Sequence, residues 1–153
     1  MIPRIIHYCW FGPNKIPDQL LQYMQSWKVF CPDYEIKIWN ESSFDVNSHP
    51  FTKTAYEKKK YAYVSDYVRA YALKNYGGIY LDTDVELKES LDVFLHHQAF
   101  SGFENKGAPF TAVWGAIANH SLTDTVLSYY DNRIYTEKEN TNTYSISEID
   151  RKS

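Results

Sequence analysis

Residues 76–84 read YGGIYLDTD, a short apolar run that ends in two carboxylates, Asp82 and Asp84. In a strand, side chains at i and i+2 share one face, about 6.6 Å apart at roughly 3.3 Å per residue. The spacing therefore predicts that both acids present oxygens to the same side. Two such donors can approach one divalent ion directly or through its water. Mg²⁺ and Mn²⁺ favour oxygen ligands and usually keep positions open for substrate phosphates. Asp-x-Asp alone also describes a solvated strand end, so the context has to decide.

The stretch before it, YAYVSDYVRAYALKNY, places Val64, Val68 and Tyr71, and again Tyr63, Tyr67, Ala70 and Leu73, at helical spacing. This predicts a helix over 61–76. Gly77 stands where a left-handed C-terminal cap without a Cβ is wanted. Ser65, Asp66 and Arg69 interrupt the apolar pattern, and Asp66 and Arg69 share a face. An exposed pair of this kind would contribute about 0–1 kcal/mol. A helix apolar nearly all round is buried on most sides, however, so its charges are either paired at a cost or aimed into a cleft. Asp66 can accept hydroxyl hydrogens, and the planar fork of Arg69 can bridge hydroxyls or a phosphate. Together they suit a sugar attached to a diphosphate.

The rest of the chain must hold these groups. Its 153 residues, 44% hydrophobic and 17% aromatic, suffice for one compact core. A net charge of −3 gives no basic field for nucleic acid or an anionic membrane. Ile5 to Phe11, closed by Gly12-Pro13, reads as a buried strand, and Pro17-Asp18 opens a helix through Leu20, Leu21, Met24 and Trp27. Tyr34 to Trp39 alternates as a second strand, with Asn40 at its end. Glu41 to Lys60 reads as a looser segment with a solvated Lys58-Lys59-Lys60 lead-in. Ile79 to Asp84 is a third strand, Leu91 to Leu95 a short helix, and Ala99 to Phe103 and Ala112 to Ile117 further strands. Ser121 to Tyr130 follows as a helix with Ser121 as N-cap.

Alternating strands and helices predict an α/β fold around a mixed, mostly parallel sheet. The folded domain is expected over 1–132, with 133–153 a polar, loosely ordered tail. Cys9 and Cys31 read as two buried thiols, and the five histidines show no ligand spacing. The start is too quickly polar for a signal peptide, and no run of 18 apolar residues occurs, so a cytoplasmic protein is the expectation.

The string YAYVSDYVRAYALKNYGGIYLDTDVEL, taken with IPRIIHYCWFG at the N-terminus, resembles glycosyltransferase family 32. These are the transferases with a DxD sugar-binding region, among them yeast initiation-type mannosyltransferases and bacterial capsular-polysaccharide transferases. More distantly it is similar to the catalytic domains of clostridial glucosylating toxins. The match runs over roughly residues 1–130, and the SD-x-x-R…YGG-x-Y-x-D-x-D combination is far more specific than DxD alone.

The resemblance implies a GT-A-like fold, lacking the C-terminal part of longer relatives. It implies a retaining hexosyltransferase that uses Mn²⁺ or Mg²⁺ and a nucleotide-sugar donor, a UDP-hexose ahead of GDP-mannose. The acceptor it implies is a glycan or a lipid-linked molecule, met by peripheral association at the inner face of a membrane. By position, Trp10 corresponds to the residue that stacks on the base, and Asn40 to a nucleoside contact. Ser65, Asp66 and Arg69 correspond to the stretch holding the donor, and Tyr80 to the diphosphate side. Asp82 corresponds to the acid touching ribose and sugar, and Asp84 to the direct metal ligand. In several relatives an Asn lies near the sugar where this chain reads Thr111-Ala112-Val113.

Two other readings compete. Haloacid-dehalogenase-like phosphatases also follow an apolar strand with Asp-x-Asp, the first Asp being the nucleophile. Their motif continues to Thr or Val where this chain has Glu86. A truncated module that binds a nucleotide sugar without turnover is the second. For a double displacement Glu104 is a weak nucleophile candidate, and front-face departure is expected instead.

Overall fold

The computed structural model describes residues 1–103 and 109–136, so Glu104 and 137–153 lie outside the described residues. Five strands form one sheet in the order β2-β1-β3-β5-β4. They are β1 (Ile5–Cys9), β2 (Glu35–Trp39), β3 (Gly78–Leu81), β4 (Ala99–Phe103) and β5 (Pro109–Ala116). β1 pairs in parallel with β2 and β3, whereas β5 runs antiparallel to both β3 and β4. β5 alone therefore opposes the other four, which agrees with a mixed, mostly parallel sheet.

The period of two along β1 and β3 splits the core. Ile6, Ile79 and Leu81 join Trp27 of helix α1 (Asp18–Phe30) on one face. Cys9, Trp39, Tyr80 and Trp114 join helices α2 (Pro50–Glu57), α3 (Tyr61–Tyr76) and α4 (Ser121–Tyr129) on the other. The chain thus leaves β1 for β2 by way of α1, and reaches β3, on the opposite side of β1, by way of α2 and α3. Successive connections covering opposite faces open a crevice beyond the carboxyl ends of β1 and β3.

Helix α3 spans the residues its periodicity predicts, Tyr61–Tyr76, burying Val64, Val68, Ala70, Ala72 and Leu73. Its end differs in detail from the expected cap. Gly77 has φ 68° but ψ 171°, so the chain turns directly into extended backbone and not into a left-handed helical residue. Gly78 follows with φ 125°, and a Cβ there would lie 2.7 Å from the Ile5 carbonyl oxygen. The reversal from helix to central strand is that tight.

Several elements depart from the sequence reading. The segment 41–60, expected to be loose, contains α2, with Pro50 at its first turn and the His49 ring accepting from the Phe51 N–H at 3.0 Å. In α4 the N-cap is His120, which accepts from the Leu122 N–H at 3.0 Å, and not Ser121. Strand β3 stops at Leu81, and residues 83 and 84 form a turn closed by the Val85 N–H on the Asp82 carbonyl. The end expected at residue 132 lies further on, because Tyr135 is 1% exposed and packs against Tyr63 and Phe51. Cys9 and Cys31 are free and buried, as expected. No helix among the described residues is long and apolar enough to cross a membrane.

His7, fully buried in β1, pins the helix-to-strand reversal. Its Nδ1 accepts the Trp39 indole N–H at 3.0 Å, which leaves the proton on Nε2 to donate to the Gly77 carbonyl at 2.9 Å. A second ring proton would face the indole donor. Burial above all, with Lys37 adding to it, pushes the imidazole down to about 4, against the pull of the Gly77 carbonyl and Glu35. The unfolded chain therefore binds this proton between about pH 6.5 and 4 while the native state does not, so stability falls as pH falls through that window. The loss attributable to His7 is about 3 kcal/mol, from roughly 1.4 kcal/mol per pK unit. Urea unfolding at pH 7 and pH 4.5 measures it. His7→Gln, which keeps one donor and one acceptor, should flatten that pH slope.

Candidate active site

A cavity of about 630 Å³ opens at the carboxyl ends of β1 and β3, the crevice that the topology predicts. This is the size of a small-molecule site. The loop after β1 brings Trp10, Phe11, Gly12 and Asn14; the first turns of α3 bring Tyr61, Ala62, Ser65, Asp66 and Arg69. The end of β3 and the turn beyond it bring Tyr80, Asp82, Thr83 and Asp84. Of the residues assigned to donor or metal, all line this space except Asn40. Its side chain accepts from the Ser42 N–H at 2.9 Å while its own N–H donates to Ser43 Oγ at 2.9 Å, so it caps the turn after β2.

The two acids do not sit on a strand face as the i, i+2 argument supposed. The Asp82 N–H still donates across to the Ala112 carbonyl at 2.9 Å, so Asp82 is held at the sheet margin. Asp84 lies past it in the turn, exposed. Both nonetheless line the same cavity. The Tyr80 side chain is buried on the α3 side of β3, where it interacts with the Asp82 carboxylate. That engagement makes Tyr80 a holder of Asp82 more than a free donor for phosphate.

Asp66 and Arg69 form the expected ion pair, at 3.5 Å, with side chains 30% and 12% exposed. The surface-pair reading is thereby excluded, since the guanidinium is nearly withdrawn from water. Burial pushes the Asp66 carboxyl up against the pull of Arg69. For Asp82 burial again dominates, opposed by Arg69 and by the Tyr80 hydrogen bond, and reinforced by Asp84 and Asp66. Arg69 is held more strongly protonated, because Asp66, Tyr80, Tyr130 and Asp82 together outweigh its own desolvation. Beneath them burial pushes the Cys9 thiol up to about 12, against the pull of Tyr80, Ser65 and Arg69, and leaves it inert.

The charged lining is three carboxylates, Asp66, Asp82 and Asp84, against one guanidinium, a formal −2. A site of that sign repels a diphosphate unless a cation accompanies it. Among the described residues no group of three His, Cys, Asp or Glu converges as a closed metal cage. One or two carboxylates with the remaining positions left to phosphate and water is the pattern Mg²⁺-class ions use. The donor set is compatible with such an ion, and Asp84 and Asp82 are the residues that could hold it.

Comparison with known proteins decides the family. Residues 17–101 match the family described as glycosyltransferase sugar-binding region containing DXD motif. The chain belongs to this family. It is 37% identical over 125 residues to inositol phosphoceramide mannosyltransferase 3 of Schizosaccharomyces pombe, covering 71% of this chain and 35% of that protein. It is 29% identical over 127 residues to the mannosyl phosphorylinositol ceramide synthase SUR1 of Saccharomyces cerevisiae, covering 78% of this chain and 32% of that one. The chain thus spans about a third of the length of these curated relatives. Among solved structures it is similar to PaToxG glycosyltransferase, with a TM-score of 0.67 at 18% identity over 83% of this chain and 58% of that chain. That likeness concerns the fold. The phosphatase reading falls with the family assignment.

Sequence reasoning passed over Tyr61, Gly12 and Asn14 as cavity residues. Gly12 carried a signal, since it closes an apolar strand just before a Pro; Tyr61 looked like one more aromatic on a core helix. Arg69 is the residue whose removal the site should tolerate least. Arg69→Met leaves Asp66 and Asp82 partly buried without their counter-charge, so we expect a loss of about 2–4 kcal/mol, measured by urea denaturation at pH 7. Asp66→Asn should cost less, because the guanidinium keeps Asp82.

Proposed function

We propose that this chain is a retaining hexosyltransferase that takes a mannosyl group from a nucleoside-diphosphate sugar and places it on a lipid-borne or glycan acceptor. The observation that carries the reading is the convergence of Trp10, the Asp66–Arg69 pair and Asp82 with Asp84 in one cavity. The mannosyl preference revises the expectation of a UDP-hexose and is supported by the names of the relatives. The same names, which specify inositol phosphoceramide, favour an acceptor presented at a membrane surface over a capsular glycan. We place the protein at the cytoplasmic face, as a peripheral enzyme.

In this reading each side chain does a distinct job. Trp10 offers an indole face to the base, a contact worth about 1–3 kcal/mol with little preference among bases. Its own N–H is held by the Asn14 carbonyl at 2.8 Å, which fixes the ring. Asp66 and Arg69 orient the sugar through its hydroxyls, the positioning contribution to rate. Tyr80 holds Asp82 toward the ribose and sugar. A divalent ion bound by Asp84 and Asp82 would supply Lewis-acid stabilisation of the departing diphosphate.

Each cavity carboxylate already has a task, so none is assigned as a nucleophile. We therefore favour front-face departure. The bond from the anomeric carbon to the diphosphate oxygen breaks while the acceptor oxygen bonds to that carbon from the same side. The acceptor's proton passes to the leaving phosphate, and configuration is kept.

Thermal melting with UDP or GDP, with and without Mn²⁺, tests the site. Nucleotide and metal together, at about 100 times the dissociation constant, should stabilise by roughly 2.7 kcal/mol, about 5–10 °C for a domain of this size. Asp84→Ala should erase the shift. Release of free sugar from GDP-mannose, UDP-glucose, UDP-galactose and UDP-N-acetylglucosamine then separates a transferase from a binding module. Binding without release from any of them would sink the enzymatic reading.

A further inference from the structure

We propose that Glu41 is a positioning residue that fixes the nucleotide-stacking wall of the donor site, although it does not line the cavity itself. The inference rests on the donor-site reading above and deepens it. Its starting point is a difference between sequence and structure: Asn40 turns inward to cap its own turn, and the neighbouring Glu41 reaches across to the loop after β1.

The Glu41 carboxylate accepts two hydrogen bonds through one oxygen. The Gly12 N–H donates at 2.7 Å, and the Tyr56 hydroxyl, from α2, donates at 2.9 Å. One side chain thus ties the turn after β2 to the loop after β1 and to a helix of the other layer. Burial pushes the Glu41 carboxyl up, but these two donors and its own backbone N–H outweigh that and leave its pKa lowered. The strut is therefore a charge-assisted acceptor, the stronger kind of hydrogen bond.

What the strut holds is a closely packed loop. Gly12 has φ 97°, and a Cβ there would lie 2.6 Å from the Tyr61 ring. Tyr61 packs edge-on against Tyr56, with ring centroids 5.5 Å apart, so the two aromatics and the glycine form one block clasped by Glu41. On the other side of Gly12 the chain is tied through the Trp10 N–H to the Trp39 carbonyl at 2.9 Å. Trp10, Gly12 and Tyr61 all face the cavity. With the Gly12 N–H released, the positive-φ turn loses its anchor, and with it the placement of Asn14, whose carbonyl fixes the indole plane. The Asp66–Arg69 pair and the two DxD acids lie on other elements and keep their places.

The predicted signature is a defect in donor binding without a defect in chemistry. In Glu41→Ala, the dissociation constant for nucleoside diphosphate with Mn²⁺, measured by calorimetry, should rise about tenfold. The KM for the sugar nucleotide should rise equally, with kcat within about twofold of wild type. Glu41→Gln, which retains an acceptor oxygen, should recover most of the affinity. Tyr56→Phe, which leaves the Gly12 bond intact, should show a smaller loss than Glu41→Ala and guards against a folding artefact. Equal nucleotide affinity in wild type and Glu41→Ala, or a fall in kcat at unchanged KM, would overturn the inference. If wild type itself binds no nucleotide with Mn²⁺, the donor-site reading is what fails.

Discussion

A guanidinium withdrawn from water at the base of an acidic cleft is the interaction on which the site depends. Isolated, the Arg69 charge would be expensive to bury. Asp66, on the same face of α3 and 3.5 Å away, and Asp82, after β3, supply the opposite charge that makes its burial tolerable. The converse also holds, because Arg69 is what lets the acids stay close while largely screened from solvent. Helix and strand are therefore coupled electrostatically at the mouth of the crevice as well as by apolar packing beneath it. The geometry of that coupling is set at the far end of α3. Gly77 and Gly78 reverse the chain within two residues, and the neutral imidazole of His7 holds the first of them to β1.

The sequence was legible where one physical signal had no competitor. Helix α3 was found residue for residue because its apolar repeat persists around Ser65, Asp66 and Arg69 and is bounded by a lysine cluster and two glycines. The strand interiors were found for the same reason. Helix α2 was missed although Pro50 marks its first turn, because it has only eight residues, threonines within it and a histidine as N-cap. His120 repeats that capping chemistry at α4, so two of the five histidines serve as neutral acceptors for helix N–H groups. Ring nitrogens in that role carry no spacing pattern, and a reading that looks for metal ligands passes over them. The DxD acids were expected to share one face of a strand, and the structure shows a different arrangement. They share one cavity through a turn beyond the strand and not through the pleat.

The candidate site also crosses the boundary of the family match. Residues 17–101 include α3, β3 and both DxD acids, yet Trp10 and Gly12 precede that span and line the same space. The matched region carries the charges, and the earlier loop carries the aromatic wall. These two halves meet at Gly12 and Tyr61, where the absence of a Cβ lets an aromatic ring close on the backbone. A resemblance built on DxD spacing alone would see only the charged half.

This division separates the physical terms by which a ligand can be held. Like charges about 5 Å apart repel by roughly 3 kcal/mol at an effective dielectric of 20. A lining of formal −2 thus sets a barrier of several kcal/mol against any bare pyrophosphate. Arg69 cannot remove that barrier, since its charge is already shared between Asp66 and Asp82. A divalent cation would cancel that formal −2 while asking for the oxygen donors that a diphosphate brings. Contact between an indole and a base involves no such exchange and proceeds at any charge state of the cleft. In the proposed donor complex the aromatic wall would therefore contribute affinity for the nucleoside independently, whereas everything beyond the ribose would depend on charge compensation at Asp82 and Asp84.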